Sequence, residues 1–212
     1  MDDRVEAVLQ EYEQRAARES NLIDGMSGAE MLKRRDDFLL PVGRGTATVL
    51  DVLIREMPAR TVLEIGSSYG YSTVWLARAA AHVGGYVVSL EMHQHKIDFA
   101  RQMLDRAGLG DHVRFVAGDA RASLTALDES FDLVLLDLWK DMYIRCFDMA
   151  IPRLNPGAII VADNMLYPEA TRPLADLYRV HVRTRRDMDS VLLPVGSGIE
   201  VSRFHPVRTE QE

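Results

Sequence analysis

Two hydrophobic periods alternate along this chain. Residues 2–20 carry Val5, Val8, Leu9 and Tyr12 at three- and four-residue intervals among acids and arginines, which predicts an amphipathic helix. The spacing does not choose between its own domain and a second subunit as the surface it covers. Asn21–Gly28 reads as a loop, Ala29–Asp37 as a short charged helix and Phe38–Gly43 as an apolar connector, serving either as a lid or as buried packing. Thr46–Met57 returns to the helical period and is stopped by Pro58. From Thr61 the period changes. Short apolar runs at 61–66, 86–91, 113–117, 131–137 and 158–163 predict strands, with helical segments at 71–82, 93–107, 120–127, 141–153 and 169–180 between them. Near-continuous apolar strands alternating with amphipathic helices predict an α/β, doubly wound parallel sheet covered on both faces. Ser190–Pro194 and Ile199–Phe204 flank a Gly-containing turn, so the sheet is expected to end in an antiparallel hairpin.

Composition narrows this little but usefully. With 212 residues, 47% of them apolar and 27% charged, the chain can bury a full core as one domain with an N-terminal extension. A net charge of −7 argues against a nucleic acid held by general electrostatics. Cys146 is the one cysteine, which excludes an intrachain disulfide and fits a reducing compartment; it reads as a buried structural thiol. The first residues are charged, and no apolar run approaches the length of a membrane span, so a cytoplasmic location is expected.

The chemistry concentrates at the predicted strand ends, where open α/β sheets bind ligands. The stretch Thr61–Ser72 (TVLEIGSSYGYS) runs from a strand through a turn bracketed by Gly66 and Gly70 into a helix. Glycines let a backbone approach a ligand, and the helix start presents free N–H groups. The second strand ends on Glu91, an acid placed to accept from both hydroxyls of a ribose; the third leads to Gly118-Asp119-Ala120, within reach of an adenine. Glu91 and Asp119 also fit helix-capping roles. The glycine turn holds no lysine or arginine, which counts against a triphosphate, and Glu64 would repel a pyrophosphate but suit a cationic group. S-adenosylmethionine, with ribose, adenine, ammonium and sulfonium, meets these demands better than a dinucleotide.

The fourth strand ends in Asp137-Leu138-Trp139-Lys140 and the fifth in Asp163-Asn164. Asp137, Asp163 and Asn164 form an oxygen donor set suited to a hard divalent cation, Mg²⁺ or another such as Ca²⁺ or Mn²⁺. Lys140 beside a cation and an apolar wall would have a lowered pKa and could take a proton from a substrate hydroxyl. Trp139 offers a flat apolar face to an aromatic ring. Loop capping for Asp163-Asn164, pairing of Lys140 with Asp141 and core packing for Trp139 are the alternatives.

The stretches LEIGSSYGYS, VVSLE, GDA, LLDLWKDMY and VADNM together resemble the cation-dependent S-adenosylmethionine O-methyltransferases, the group that includes the catechol and caffeoyl-CoA enzymes. The likeness covers roughly residues 40–165 and, more loosely, the C-terminal hairpin. It implies a Rossmann-like, seven-stranded class I methyltransferase fold with an antiparallel last strand. The implied organisation is a helical extension with lid or connector (1–58), a cofactor-binding catalytic domain (59–206) and a polar tail (207–212). By the resemblance Asp137, Asp163 and Asn164 hold Mg²⁺, and Lys140 is the general base. Glu64, Gly66, Ser68, Tyr71 and Ser72 line the methionine end of the cofactor, with Asp137 adjoining. Glu91 holds the ribose, and Asp119 with Ala120 the adenine side. Trp139 walls the acceptor opposite Leu40 and Val42, with Arg44 near. A small aromatic hydroxyl acceptor and a homodimer are implied. The catechol enzyme has a glutamate before the final hairpin turn; here Val191–Gly196 contains no acid, and Asp187 and Asp189 are the nearest candidates. Two other readings are tRNA hydroxyuridine methylation, for which Arg183, Arg185 and Arg186 form a small basic cluster, and non-catalytic nucleoside binding.

Overall fold

The computed structural model describes residues 2–206, so the expected tail at 207–212 lies outside the described residues. Seven strands form one sheet: β1 Thr61–Ile65, β2 Tyr86–Glu91, β3 Val113–Ala117, β4 Phe131–Leu136, β5 Leu154–Ala162, β6 Met188–Leu193 and β7 Ile199–Phe204. Their order is β3-β2-β1-β4-β5-β7-β6. β1 to β5 pair in parallel, and β7 enters antiparallel between β5 and β6. The doubly wound sheet with its antiparallel end is therefore as expected. The strand order reverses between β1 and β4, which makes their carboxyl ends the place for a ligand crevice.

Period-two alternation sorts the strand residues onto two faces. Val62, Leu133, Leu135, Val161 and Ile199 pack with helices α1 (Asp3–Asp24), α3 (Gly43–Glu56), α4 (Tyr71–His82) and α5 (Gln94–Ala107). Leu63, Ile65, Val134, Leu136 and Ile160 pack on the other side with α6 (Ala120–Ala126), α7 (Tyr143–Ala150) and α8 (Arg172–Arg183). Helix α1 buries Val5, Val8, Leu9 and Tyr12 in the first of these cores, so the extension covers its own domain. Cys146 is buried in the second, and burial pushes its thiol up to about 11.

The boundaries differ from expectation where local stop signals are weak. Helix α1 continues through Asn21–Asp24 because nothing breaks it before Gly25, whose N–H closes on the Leu22 carbonyl, with Met26 N–H on that of Ile23. After α2 (Gly28–Arg34) comes a 3-10 turn, Arg35–Asp37. Helix α3 starts at Gly43; Gly45 in its first turn lies so close to the hairpin turn that a Cβ would meet Val195 at 3.3 Å. Strand β5 begins at Leu154, four residues early, and accommodates Pro156 and Gly157 where its register against β4 shifts. The segment 141–153 is not one helix: 3-10 turns Lys140–Met142 and Ile151–Arg153 flank α7.

Candidate active site

The turn after β1 is built by the protein's own packing. Gly66 has φ +94°, and a Cβ there would lie 2.2 Å from the Asp137 carbonyl oxygen. Gly70 has φ +93°, and its Cβ would lie 2.6 Å from that of Ala100. Both glycines are thus required by close backbone approach between elements, a correction to reading them only as openings for a ligand. Gly66 N–H donates to the Leu90 carbonyl, which sews the end of β1 to β2. No side chain caps α4, so its first-turn N–H groups remain available to an anionic ligand group.

Glu64 is fully buried and accepts from Ser72 (2.6 Å), Thr73 (2.7 Å) and Ser89 (2.6 Å). Burial pushes its carboxyl up to about 7, against the pull of these three hydroxyls. The acid in the turn is therefore a node joining β1, β2 and α4, and Ser72 is one of its donors. Glu91, at the tip of β2, accepts from Ser68 N–H and His93 N–H, both at 2.9 Å, one on each oxygen. Each oxygen keeps a second lone pair. Asp119 caps α6, accepting from the N–H groups of Arg121 and Ala122, and the Arg121 guanidinium holds it down to about 2. The capping alternative is what the geometry shows at Asp119, with Ala120 partly buried beside it as the first residue of α6. Tyr71 departs from expectation. Its side chain is buried against Tyr12, and its hydroxyl donates to Glu13 of α1 at 3.1 Å, so at most its backbone faces the turn. Ser68, at φ +48°, donates through its hydroxyl to the Leu39 carbonyl and ties the connector to the turn.

The tips of β4 and β5 form the second constellation. The ladder sets Leu136 beside Ala162, so Asp137 and Asp163 follow side by side. Asp163 is 1% exposed, and its Oδ1 finds no hydrogen-bond partner among the described residues. Burial pushes both carboxyls above the ordinary range, and the charge of Asp137 adds to the rise at Asp163. Asn164 adopts φ +56°, a left-handed conformation that asparagine tolerates, and its Oδ1 accepts from Lys140 Nζ at 3.3 Å. Lys140 Nζ also donates to the Tyr143 hydroxyl at 2.5 Å, which in turn donates to the Asp163 carbonyl at 3.2 Å. Burial lowers Lys140 to about 8, although Asp137 and Asp163 pull the other way. Tyr143 is thus the lysine's positioning group; its place in the Lys-Asp-Met-Tyr run is the one signal of it in the sequence.

The donor set fits a hard cation. It offers two carboxylates that repel each other and an amide oxygen, with one buried oxygen unpartnered. Among the described residues no three His, Cys, Asp or Glu side chains cluster as metal ligands.

The acceptor side is corrected most. Trp139 is 40% exposed, and the guanidinium carbon of Arg35 lies 3.9 Å from its ring centre. Arg44 instead turns onto α1, bonding Glu13 at 2.9 Å and Glu6 at 3.0 Å. Val42 is buried in the core, as are Phe38 and Leu39, while Leu40 is exposed at φ +43°. The connector is therefore mostly packing, with Leu40 as its outward side chain. Neither candidate for the missing hairpin acid is free at the crevice. Asp187 is paired with Arg185 at 2.6 Å and Asp189 with His205 at 2.9 Å, at the end of β6 away from its turn.

The comparisons with known proteins agree with this fold. A sequence model of the O-methyltransferase family matches residues 14–203. A catechol O-methyltransferase of Mycobacterium tuberculosis is 42% identical over 118 residues, which is 55% of this chain and 53% of that protein. The chain thus matches about half the length of that relative, and of a second catechol O-methyltransferase, from Niastella koreensis. A probable O-methyltransferase of Mycobacterium tuberculosis is 30% identical over 88% of this chain and 82% of its own length. Among solved structures, the Streptomyces achromogenes O-methyltransferase of tomaymycin synthesis, in complex with SAM, is 26% identical with a TM-score of 0.73, over 97% of this chain and 91% of its own. With a site built at the strand tips and a match that runs nearly end to end, the chain belongs to the O-methyltransferase family.

Proposed function

We propose that the protein transfers a methyl group from S-adenosylmethionine to a hydroxyl of a small catechol-like aromatic or natural product, with a divalent cation, Mg²⁺ or another hard ion, held in the site. The observation that carries this reading is Lys140 Nζ, fixed by Asn164 and Tyr143 beside the paired acids Asp137 and Asp163. S-adenosylmethionine would supply a methyl on a positively charged sulfur. Glu91 has one free lone pair per oxygen for two ribose hydroxyls, and the uncapped N–H groups of α4 would receive the cofactor's carboxylate. Glu64 holds Ser72 in place, and Gly66 lets the β1 and β4 tips meet. Asp119 and Ala120 would border the adenine. A cation on Asp137, Asp163 and Asn164 would lower the pKa of the acceptor hydroxyl and fix its oxygen. Lys140, with a pKa near 8, is neutral often enough near neutrality to take that proton as the hydroxyl oxygen becomes nucleophilic. The Tyr143 hydroxyl, donating onward to a carbonyl, accepts from the lysine and keeps it aimed. Trp139 and Leu40 are the exposed apolar side chains for the acceptor ring.

The test is methylation of a panel of catechols with S-adenosylmethionine and Mg²⁺, repeated in EDTA and with Lys140→Ala. Activity abolished in both is expected; unchanged turnover in either overturns the metal-and-base mechanism. The tRNA reading is weakened by the ion pairs of its basic cluster: Arg183 is held by Glu200 at 2.7 Å and Arg185 by Asp187. A homodimer is supported by an exposed apolar stripe on α8, Leu174, Leu177 and Val180, and light scattering tests it. Among the described residues no helix is long and apolar enough to cross a membrane, which is compatible with the cytoplasmic location we propose.

A further inference from the structure

The 3-10 turn Arg35–Asp37 ties together the two halves of the site. Arg35 lies over Trp139 at 3.9 Å. Asp36 reaches back to the start of α5, 3.6 Å from Lys96 and 3.7 Å from His93, close behind Glu91. The Asp37 carbonyl accepts from the Tyr69 hydroxyl at 3.4 Å. Arg35 is thus carried on an anchored segment, and its guanidinium rests on the ring expected to face the acceptor.

We infer that Arg35 selects the acceptor by pairing with a carboxylate on the aromatic substrate. This rests on the methyl-transfer reading above and names the substrate class. A guanidinium stacked on an indole keeps N–H donors in its plane for a planar anion. The acid nearest to it, Asp36, is 3.9 Å away, beyond hydrogen-bond distance, and is shared with Lys96 and His93. Neighbouring arginines are engaged: Arg34 with Asp37, Arg15 with Glu19 and Arg44 with Glu6 and Glu13. The hairpin turn after β6, Pro194–Gly198, carries no charge that would repel an anion. A ring placed against Trp139 brings its substituents within reach of a cation on the same indole, and a carboxylate there makes a charge-assisted, two-pronged contact. Neutral and cationic catechols lack that contact.

The experiment measures kcat and KM of the full chain with S-adenosylmethionine and Mg²⁺ on 3,4-dihydroxybenzoate, catechol and dopamine, for wild type, Arg35→Gln and Arg35→Lys. Wild type is expected to favour the benzoate. Arg35→Gln should cut kcat/KM for the benzoate by about 10- to 100-fold, mainly through KM, and the benzoate-to-catechol ratio by the same order. Arg35→Lys should restore part of that ratio, since charge survives but the planar fork does not. An equal loss on all three acceptors, the result of a merely structural role under the turn, overturns the proposal, as does a ratio that Arg35→Gln leaves alone. Wild type inactive on all three overturns the methyl-transfer reading and this inference with it. Turnover of catechol without Arg35-dependent discrimination overturns this inference by itself.

Discussion

The β1–β2 end and the β4–β5 end of the crevice treat buried charge in opposite ways. At the first, Glu64 is surrounded by three hydroxyls from α4 and β2, and Glu91 has a backbone N–H on each oxygen. At the second, two acids sit side by side, one with a bare oxygen, and the cation that approaches them is a lysine held by neighbours. The first end is satisfied by the protein alone and acts as a rigid cradle. The second is unsatisfied in isolation, which is tolerable where a ligand completes it. On the proposed reading, binding and chemistry are thereby separated along one sheet edge.

The contrast can be broken most severely at Lys140. Lys140→Ala should lower kcat by about 10²- to 10⁴-fold, the usual worth of a general base, with little change in S-adenosylmethionine affinity by calorimetry. In wild type kcat should rise with pH and level off at or below about 8, because the amine must be neutral and a bound cation lowers its pKa further. Gly66→Ala strikes where the two ends touch. A methyl 2.2 Å from the Asp137 carbonyl, at φ +94°, should destabilise the fold by about 2–4 kcal/mol in urea denaturation.

Glu64 tests the satisfied end. Its folded pKa, about 7, stands above the ordinary 4.5, so its stabilising contribution is complete below pH 4.5 and is lost as pH rises through 7. Between those values wild type should lose about 3 kcal/mol more stability than Glu64→Gln, measured as a difference in denaturation midpoints. The unsatisfied end is tested by metal. Mg²⁺ at a hundredfold excess over its dissociation constant should stabilise wild type by about 2.7 kcal/mol, and Asp163→Asn should remove most of that gain. An equal Mg²⁺ response in both proteins would mean the paired acids are not the site.

Short apolar runs set between amphipathic helical segments make the sheet legible from the order of residues alone. β2, β3 and β7 fall at their expected boundaries: β2 and β3 are mostly apolar runs, β3 is closed by Gly118-Asp119, and β7 starts after the glycine turn and stops before Pro206. The same logic puts the acids Glu91, Asp137 and Asp163 at strand tips, since strand ends are local features. It fails for Arg44 and Tyr71, which look like site residues by position but point at α1. It also gives no hint that Arg35 lies over Trp139, since its only sequence signal is a Lys-Arg-Arg run ahead of the connector.

By itself, then, the sequence determined the order of elements, the covered parallel sheet and the acids at its tips, because these follow from periods of two and 3.6 and from the ends of runs. Only the tertiary structure decided which side chains meet. Glu64 gathers its hydroxyls from α4 and β2, and Trp139 receives a guanidinium from the turn that precedes α3. Gly66 is needed because β1 and β4, far apart in sequence, run in contact. Such pairings depend on how distant elements stack, and no local period records them.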